Sequence, residues 1–226
     1  GFTVLVPDVF MWSSRRFPLD VMPGEIAEMA ETTEGTEAER YNAAARPHED
    51  LVAKYCALLG TTVPGIIAAE DRIAVRYLQS RPDVMPDAIG CVGLSGGGGR
   101  AVLLQATCDA MRATVVAGMM STYAHLLDRN VVSHTWMLFP TGWSRHGDWP
   151  DIAASRAPSP LMVQYLKDDA LFPLEGMRAA HERLTRHYAE ADAADGYQGV
   201  FYPGHHRFDL EGQETAFAWL ARHLDS

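Results

Sequence analysis

The chain has 226 residues, of which 47% are hydrophobic and 21% are charged. These values are ordinary for a globular domain, and they exclude a disordered, collagen-like or coiled-coil chain. The 19 basic residues against 29 acidic ones give a formal net charge of −10 at pH 7. That charge argues against nucleic acid or an anionic membrane surface as a partner. We therefore expect one domain over residues 1–226 with a small molecule as its partner.

No apolar run approaches the about 18–20 residues that a membrane span needs. The three cysteines, Cys56, Cys91 and Cys108, form no CxxC pair. The sequence therefore predicts neither a disulfide framework nor a zinc site. It leaves the oligomeric state and the cellular compartment open.

The first fifty residues hold three patterns. The apolar run Phe2–Val6 ends at Pro7-Asp8, which predicts a buried strand followed by a turn. Within residues 9–50 glutamates recur at every third position, which predicts a solvated helix face or a mobile loop. They are Glu25, Glu28, Glu31, Glu34 and Glu37. The triplet His48-Glu49-Asp50 fits no usual zinc spacing, and we interpret it as a solvated charge cluster.

Strands alternate with helices in the rest of the chain. Apolar runs typical of strands buried on both faces are Ile89–Leu94, Thr114–Gly118, Leu161–Leu166 and Val200–Tyr202. Apolar residues at helical spacing cover Ile66–Leu78, Met177–Tyr188 and Phe217–Leu224. The alternation predicts an α/β fold with a mostly or wholly parallel sheet covered by helices on both faces.

Residues 119–160 follow a predicted strand without a clear amphipathic period. They contain Trp136, Trp143 and Trp149 together with His125, His134 and His146. Open α/β sheets bind ligands outside the carboxyl ends of their strands, so this segment and residues 9–50 are candidate insertions that cover a ligand cleft. Core filling by the tryptophans is the alternative.

The sharpest motif is Gly93-Leu94-Ser95-Gly96-Gly97, a G-x-S-x-G sequence between a predicted strand and an apolar helix. Such a turn holds a serine in a strained backbone conformation with its hydroxyl exposed at the sheet edge. We expect side chains at Gly93 and Gly97 to collide with the neighbouring helix and strand. The Gly96 amide, at the helix N-terminus, would face a developing oxyanion.

Two other glycine motifs fit less well. A phosphate-binding P-loop requires Lys and then Ser or Thr where Gly99-Arg100 stands. The spacing Gly96-x-Gly98-x-x-Ala101 matches a dinucleotide fingerprint, but no acidic residue follows the next strand. A nucleophilic serine is therefore the favoured interpretation.

A serine hydroxyl needs a histidine to take its proton, and the histidine needs a carboxylate to orient it. On this type of fold the chain order is serine, acid, histidine. Asp168-Asp169 follows the predicted strand Leu161–Leu166, and His205-His206 follows Val200–Tyr202. Both doublets lie at the carboxyl ends of strands, as Ser95 does. The residue pattern leaves the choice within each doublet open.

The Ser95 motif, the stretch Asp169-Ala170-Leu171-Phe172-Pro173 and the stretch His206-Arg207-Phe208-Asp209 resemble α/β-hydrolases of the dienelactone-hydrolase and acetyl-xylan-esterase-like branch. The resemblance covers nearly the whole chain, and it selects Asp169 as the acid and His206 as the base. Asp168 and His205 would then be structural neighbours. Some members of the fold carry the acid after the preceding strand, which makes Asp128 an alternative.

The resemblance also implies an architecture. Phe2–Val6 would correspond to the fourth of eight strands, so the N-terminal strands would be lacking. The loop that supplies a second oxyanion amide would be lacking with them. Dienelactone hydrolases proper carry cysteine where Ser95 stands, which favours ester hydrolysis over lactone opening.

We therefore expect a serine esterase for small acyl groups such as acetyl, with no cofactor and no metal. A peptidase on the same fold, a catalytically silent module and a nicotinamide-binding oxidoreductase are the competing hypotheses.

Overall fold

A computed structural model describes residues 1–127 and 130–225. Its helices and strands, in chain order, are α1 (Gly24–Thr32), α2 (Glu37–Leu58), α3 (Val63–Ser80), β1 (Ile89–Leu94), α4 (Gly96–Thr107), β2 (Met111–Ala117), α5 (Tyr123–Leu126), α6 (Trp149–Ala154), β3 (Leu161–Leu166), α7 (Leu174–Glu190), β4 (Tyr197–Tyr202) and α8 (Leu210–Leu224).

The four strands form one sheet in the order β1-β2-β3-β4, and every neighbouring pair is parallel. Each connection between neighbouring strands contains at least one helix, as parallel pairing requires. The predicted parallel α/β sheet is thereby confirmed. Because all four strands run in one direction, their carboxyl ends lie at one edge of the sheet, and we call this edge the carboxyl rim.

Helices cover both faces of the sheet. On one face, Val115 of β2 packs with Trp219 and Leu220 of α8. The next residue, Val116, points to the other face, where it belongs to the large core that includes Val102 of α4. The alternation follows from the two-residue period of a strand. Burial on both faces explains why these strands appear in the sequence as nearly continuous apolar runs.

The predicted strand Phe2–Val6 is wrong. The structure assigns no strand there, and Val4 and Val6 are 76% and 83% exposed. A strand is stable where a neighbour takes up its N–H and C=O groups, and none of the four described strands pairs with this segment. The chain is instead held just beyond it, where the guanidinium of Arg100 donates to the Pro7 carbonyl at 3.4–3.5 Å.

The glutamate-rich segment folds mainly as α1 and the N-terminal part of α2, with all five predicted glutamates exposed. Thr36 begins α2 with a capping box, because its side chain accepts from the Glu39 N–H while the Glu39 carboxylate accepts from the Thr36 N–H. His48 is buried, so its assignment to a solvated cluster is wrong. Pro47 lies inside this helix as well.

The described residues of the 119–160 segment form short helices and turns, as expected for a segment without an amphipathic period. Besides α5 and α6 they include 3-10 turns at Val131–Ser133, Trp136–Leu138 and Trp143–Arg145. Trp149 is 1% exposed and fills the core, whereas Trp136 is 40% exposed and reaches α2.

No single helix of the described residues is long and apolar enough to cross a membrane. The helices α2 and α3 pass that test of length and composition only as a pair, with a bend of 87° between them.

A buried ion pair joins α3 to α4. Arg100 makes two hydrogen bonds to Asp71, at 2.6 and 3.0 Å, and the side chain of Asp71 is only 7% exposed. Removing one partner of such a pair leaves the other charge buried without compensation. We predict that Arg100→Met lowers the free energy of unfolding by about 3 kcal/mol, measured by urea denaturation.

The matched control is Arg81→Met, because Arg81 pairs with Asp83 on the surface and both side chains are substantially exposed. This substitution is expected to leave the urea midpoint essentially unchanged. Equal losses in the two variants would contradict a special role for the buried pair.

Candidate active site

Ser95 lies in a tight turn between β1 and α4. Its backbone has φ +56° and ψ −120°, a conformation that residues with a side chain rarely adopt. The Ser95 N–H donates to the Ala117 carbonyl of β2 at 2.8 Å, and the Ser95 carbonyl accepts from the Gly99 N–H at 3.0 Å. The sheet and the first turn of the helix therefore hold the serine at the carboxyl rim.

Gly93 is the residue that makes this turn possible. A Cβ atom at Gly93 would lie 2.0 Å from the Gly97 carbonyl oxygen, which is far inside contact distance. The prediction for Gly97 itself is wrong, because a Cβ there meets nothing within 4 Å. The second tight position is Gly98, whose Cβ would lie 2.8 Å from Cγ of Met119.

The N-terminus of α4 begins directly after Ser95. The amides in the first turn of a helix have no partner within the helix, and the helix dipole favours negative charge at this end. The Gly96 N–H belongs to that first turn. The methyl group of Met137 would lie 3.5 Å from a Cβ on Gly96, so a thioether side chain lies close to this residue.

Asp169 and His206 are joined by a hydrogen bond. Asp169 follows β3, and its Oδ2 lies 2.6 Å from Nδ1 of His206, in the loop after β4. The other oxygen, Oδ1, accepts from the Leu171 N–H at 2.9 Å. The Asp169 side chain is fully buried and that of His206 is 24% exposed. With Nδ1–H donating to the carboxylate, Nε2 of the neutral ring is free to accept a proton.

Ser95 and His206 both lie against the end of β2. Ser95 bonds the Ala117 carbonyl, and a Cβ on the next residue, Gly118, would lie 3.5 Å from Cε1 of the His206 ring. Gly118 has φ +58°, and the missing side chain leaves room for that ring. Among the described residues the Ser95 hydroxyl makes no hydrogen bond to His206, so the structure forms the acid–histidine link and not the histidine–serine link.

The other members of the two doublets make different contacts. Asp168 accepts from the Gly204 N–H at 2.7 Å through Oδ2, and its own N–H donates to the Gly204 carbonyl at 3.1 Å. His205 lies with Nδ1 3.1 Å from the Asp168 carbonyl. These bonds tie the loops after β3 and β4 to each other. Asp128, the alternative acid, lies outside the described residues.

Two residues of the 119–160 segment touch the loop that carries Asp169. Nε2 of His134 lies 3.1 Å from the Leu171 carbonyl, and Nδ2 of Asn130 lies 2.9 Å from the same oxygen. Burial lowers the pKa of His134, which favours its neutral form. Sequence reasoning named His134 only within a group of histidines and did not name Asn130. No motif marks either residue.

Cys91 lies on β1, four positions before Ser95. Burial raises the pKa of its thiol to about 12, so the reactive thiolate form is disfavoured at neutral pH. In residues 1–127 and 130–225, no group of three or more His, Cys, Asp or Glu side chains is arranged to hold a metal ion.

The chain is similar to one curated protein over a large part of its length. It is 29% identical over 153 residues to the protein described as "Putative hydrolase YtaP" of Bacillus subtilis (strain 168). The match covers 67% of this chain and 51% of the relative, so the chain spans about half the length of that protein. No family model matches the chain.

Solved structures of esterases have a similar fold. "Methylesterase BT1017" matches with a TM-score of 0.54 and 23% identity over 72% of this chain and 36% of its own. A structure described as a putative acetyl xylan esterase from Bacteroides fragilis matches with a TM-score of 0.58 and 19% identity, over 74% of this chain and 44% of its own. The α/β-hydrolase fold that the sequence resemblance implied is thereby confirmed.

The glycine geometry separates two substitutions that look alike in sequence. We predict that Gly93→Ala prevents formation of the turn, because the added methyl group would overlap the Gly97 carbonyl. Gly97→Ala is expected to be tolerated and to raise the free energy of unfolding by about 0.5–1 kcal/mol, since alanine favours helix over glycine. Thermal unfolding of the two purified variants measures the difference, and similar melting temperatures would contradict it.

Proposed function

We propose that the chain hydrolyses carboxylic esters, with Ser95 as nucleophile, His206 as general base and Asp169 as the acid that orients the histidine. The observation that carries this proposal is the arrangement of the carboxyl rim. A serine in a strained strand-to-helix turn is hydrogen-bonded to Ala117 at the end of β2. The ring of a histidine that is hydrogen-bonded to a buried aspartate lies against the next residue, Gly118. The fold shared with esterase structures supports it.

In the first half of the proposed reaction, Nε2 of His206 takes the Ser95 proton while the Ser95 oxygen attacks the ester carbonyl carbon. The tetrahedral oxyanion accepts a hydrogen bond from the Gly96 N–H at the start of α4. The bond to the alkoxy oxygen then breaks, His206 returns the proton to it, and the alcohol leaves. An acyl group remains bound to Ser95.

In the second half, His206 removes a proton from water as the water oxygen attacks the acyl carbon. The Ser95 oxygen leaves and takes the proton from His206, and the carboxylic acid is released. The Asp169 carboxylate stabilises the imidazolium form of His206 in both halves.

We further propose esters of small acyl groups, such as acetyl, as substrates. Two observations support a small acyl group. The methyl group of Met137 lies close to Gly96, the residue whose N–H is the proposed oxyanion donor, and it limits the volume beside that residue. A structure with this fold is described as a putative acetyl xylan esterase, and the acyl group of an acetyl ester is small.

We also propose that residues 9–50 and 119–160 together cover the cleft at the carboxyl rim. The two segments are joined by side-chain contacts, since Glu49 bonds the Thr135 hydroxyl and Asp50 accepts from the Trp136 indole N–H at 2.6 Å. The next residue, Met137, lies against the start of α4. These contacts support the proposal that the two segments together cover Ser95.

The first test of the proposed function uses the full chain and its Ser95→Ala variant with p-nitrophenyl acetate. Loss of the nucleophile is expected to lower kcat/KM at least about 10⁴-fold, while the folded state persists because alanine fits the position of a small serine. Equal rates for the two proteins would contradict a serine-dependent esterase.

A second test separates the members of the aspartate doublet. Asp169→Asn removes the charge that orients His206 and is expected to lower kcat about 10³- to 10⁴-fold. Asp168→Asn keeps an oxygen that accepts from the Gly204 N–H, so its kcat should stay within about threefold of the parent. The opposite ranking in a steady-state assay would assign the catalytic acid to Asp168.

A further inference from the structure

Two side chains from another segment of the chain contact the backbone carbonyls of the loop that carries Asp169. Asn130 donates through Nδ2 to the Ala170 carbonyl at 3.0 Å and to the Leu171 carbonyl at 2.9 Å. His134 lies with Nε2 3.1 Å from the Leu171 carbonyl, and in the neutral Nε2–H tautomer it is a donor to that oxygen. Both residues come from the 119–160 segment and lie more than thirty positions earlier in the chain.

One of these contacts acts on the peptide group that also binds the catalytic carboxylate. The carbonyl of Ala170 and the N–H of Leu171 belong to a single planar peptide unit. Its N–H donates to Oδ1 of Asp169 at 2.9 Å, and its carbonyl accepts from Asn130. Rotation of this unit would turn the carbonyl oxygen toward the carboxylate, and two negatively polarised groups would then face each other.

The ring of His134 adds a packing contact on the same side. Its centroid lies 4.7 Å from that of Phe172, and Phe172 stacks on His206 with centroids 6.2 Å apart and an interplanar angle of 23°. Both His134 and the Asp169 carboxylate thus contact the short loop Ala170–Phe172. The ring of Phe172 in turn stacks on His206, the proposed base.

We propose that Asn130 and His134 are positioning residues that hold the Asp169 carboxylate against His206 by fixing the peptide groups of Ala170 and Leu171. The inference rests on the proposed function for its kinetic consequences. Neither residue touches the reacting atoms. Because they act through Asp169, we expect substitutions of these two residues to change kcat and not the affinity for substrate.

Two substitutions at residue 134 separate its hydrogen bond from its packing. Phenylalanine keeps the aromatic contact with Phe172 and removes the donor, whereas glutamine keeps an N–H donor and loses the ring. We expect His134→Phe to lower kcat about 10- to 100-fold with KM changed less than about twofold, because a displacement of about 1 Å in a catalytic group costs up to this much. His134→Gln should recover most of the loss.

Asn130→Ala provides a second variant, with the same expected fall in kcat. The control is His146→Phe, the same substitution at an exposed histidine of the same segment, and it should leave kcat unchanged. Thermal unfolding of all variants verifies that they remain folded. A His134→Gln variant as slow as His134→Phe would overturn the role of the donated hydrogen bond.

A double-mutant cycle tests whether the effect passes through Asp169. In an Asp169→Ala background, His134→Phe and Asn130→Ala are expected to cause no further loss of kcat, because the group that they position is gone. The same 10- to 100-fold loss in both backgrounds would overturn the proposal.

A spectroscopic readout separates this inference from the proposed activity. The hydrogen bond between His206 Nδ1–H and Asp169 should give a low-field proton resonance, assigned by its absence in His206→Gln. Faster exchange of that proton with water in His134→Phe and Asn130→Ala, but not in His134→Gln, would support the positioning role even if the chain hydrolysed no ester. Unchanged exchange in all three variants would overturn it even if the chain were an active esterase.

Discussion

The backbone conformation of Ser95 is the constraint on which the site depends. A positive φ at a residue with a side chain costs about 1–3 kcal/mol, and the surrounding structure must offset that cost. The Ala117 carbonyl on one side and the first turn of α4 on the other fix the Ser95 peptide groups. The absent side chain of Gly93 lets the helix approach the strand. If this turn relaxed, the hydroxyl would leave the carboxyl rim.

The buried carboxylate of Asp169 imposes the second requirement. A charge removed from water is stable only when its oxygens are hydrogen-bonded, and each Asp169 oxygen has a partner, one in the loop backbone and one on His206. Asn130 and His134 in turn contact the backbone of this loop, and the positioning role proposed for them rests on these contacts. The Asp168 carboxylate instead accepts a hydrogen bond from the Gly204 N–H and so joins the loops after β3 and β4 at the surface.

The sequence predicted correctly those strands that a local apolar run marks by itself. Ile89–Leu94 and Leu161–Leu166 have the predicted bounds because each is a short apolar run that ends in a turn. Phe2–Val6 has the same pattern without a paired strand beside it, and a single run cannot reveal its partner. The strand that ends at Tyr202 begins three residues earlier than predicted, because Gln198 and Gly199 interrupt its apolar character. The sequence did not indicate Asn130 at all, nor the contact that His134 makes, because a segment without periodicity brings both residues to the loop after β3.

The most direct test of the central claim is covalent labelling by a fluorophosphonate, with the modified peptide located by mass spectrometry. The account predicts one adduct, on the Ser95 oxygen, and a much slower reaction in a His206→Gln variant because no base then takes the serine proton. An adduct on another hydroxyl, no adduct at all, or labelling of Ser95 at the same rate without His206 would contradict it.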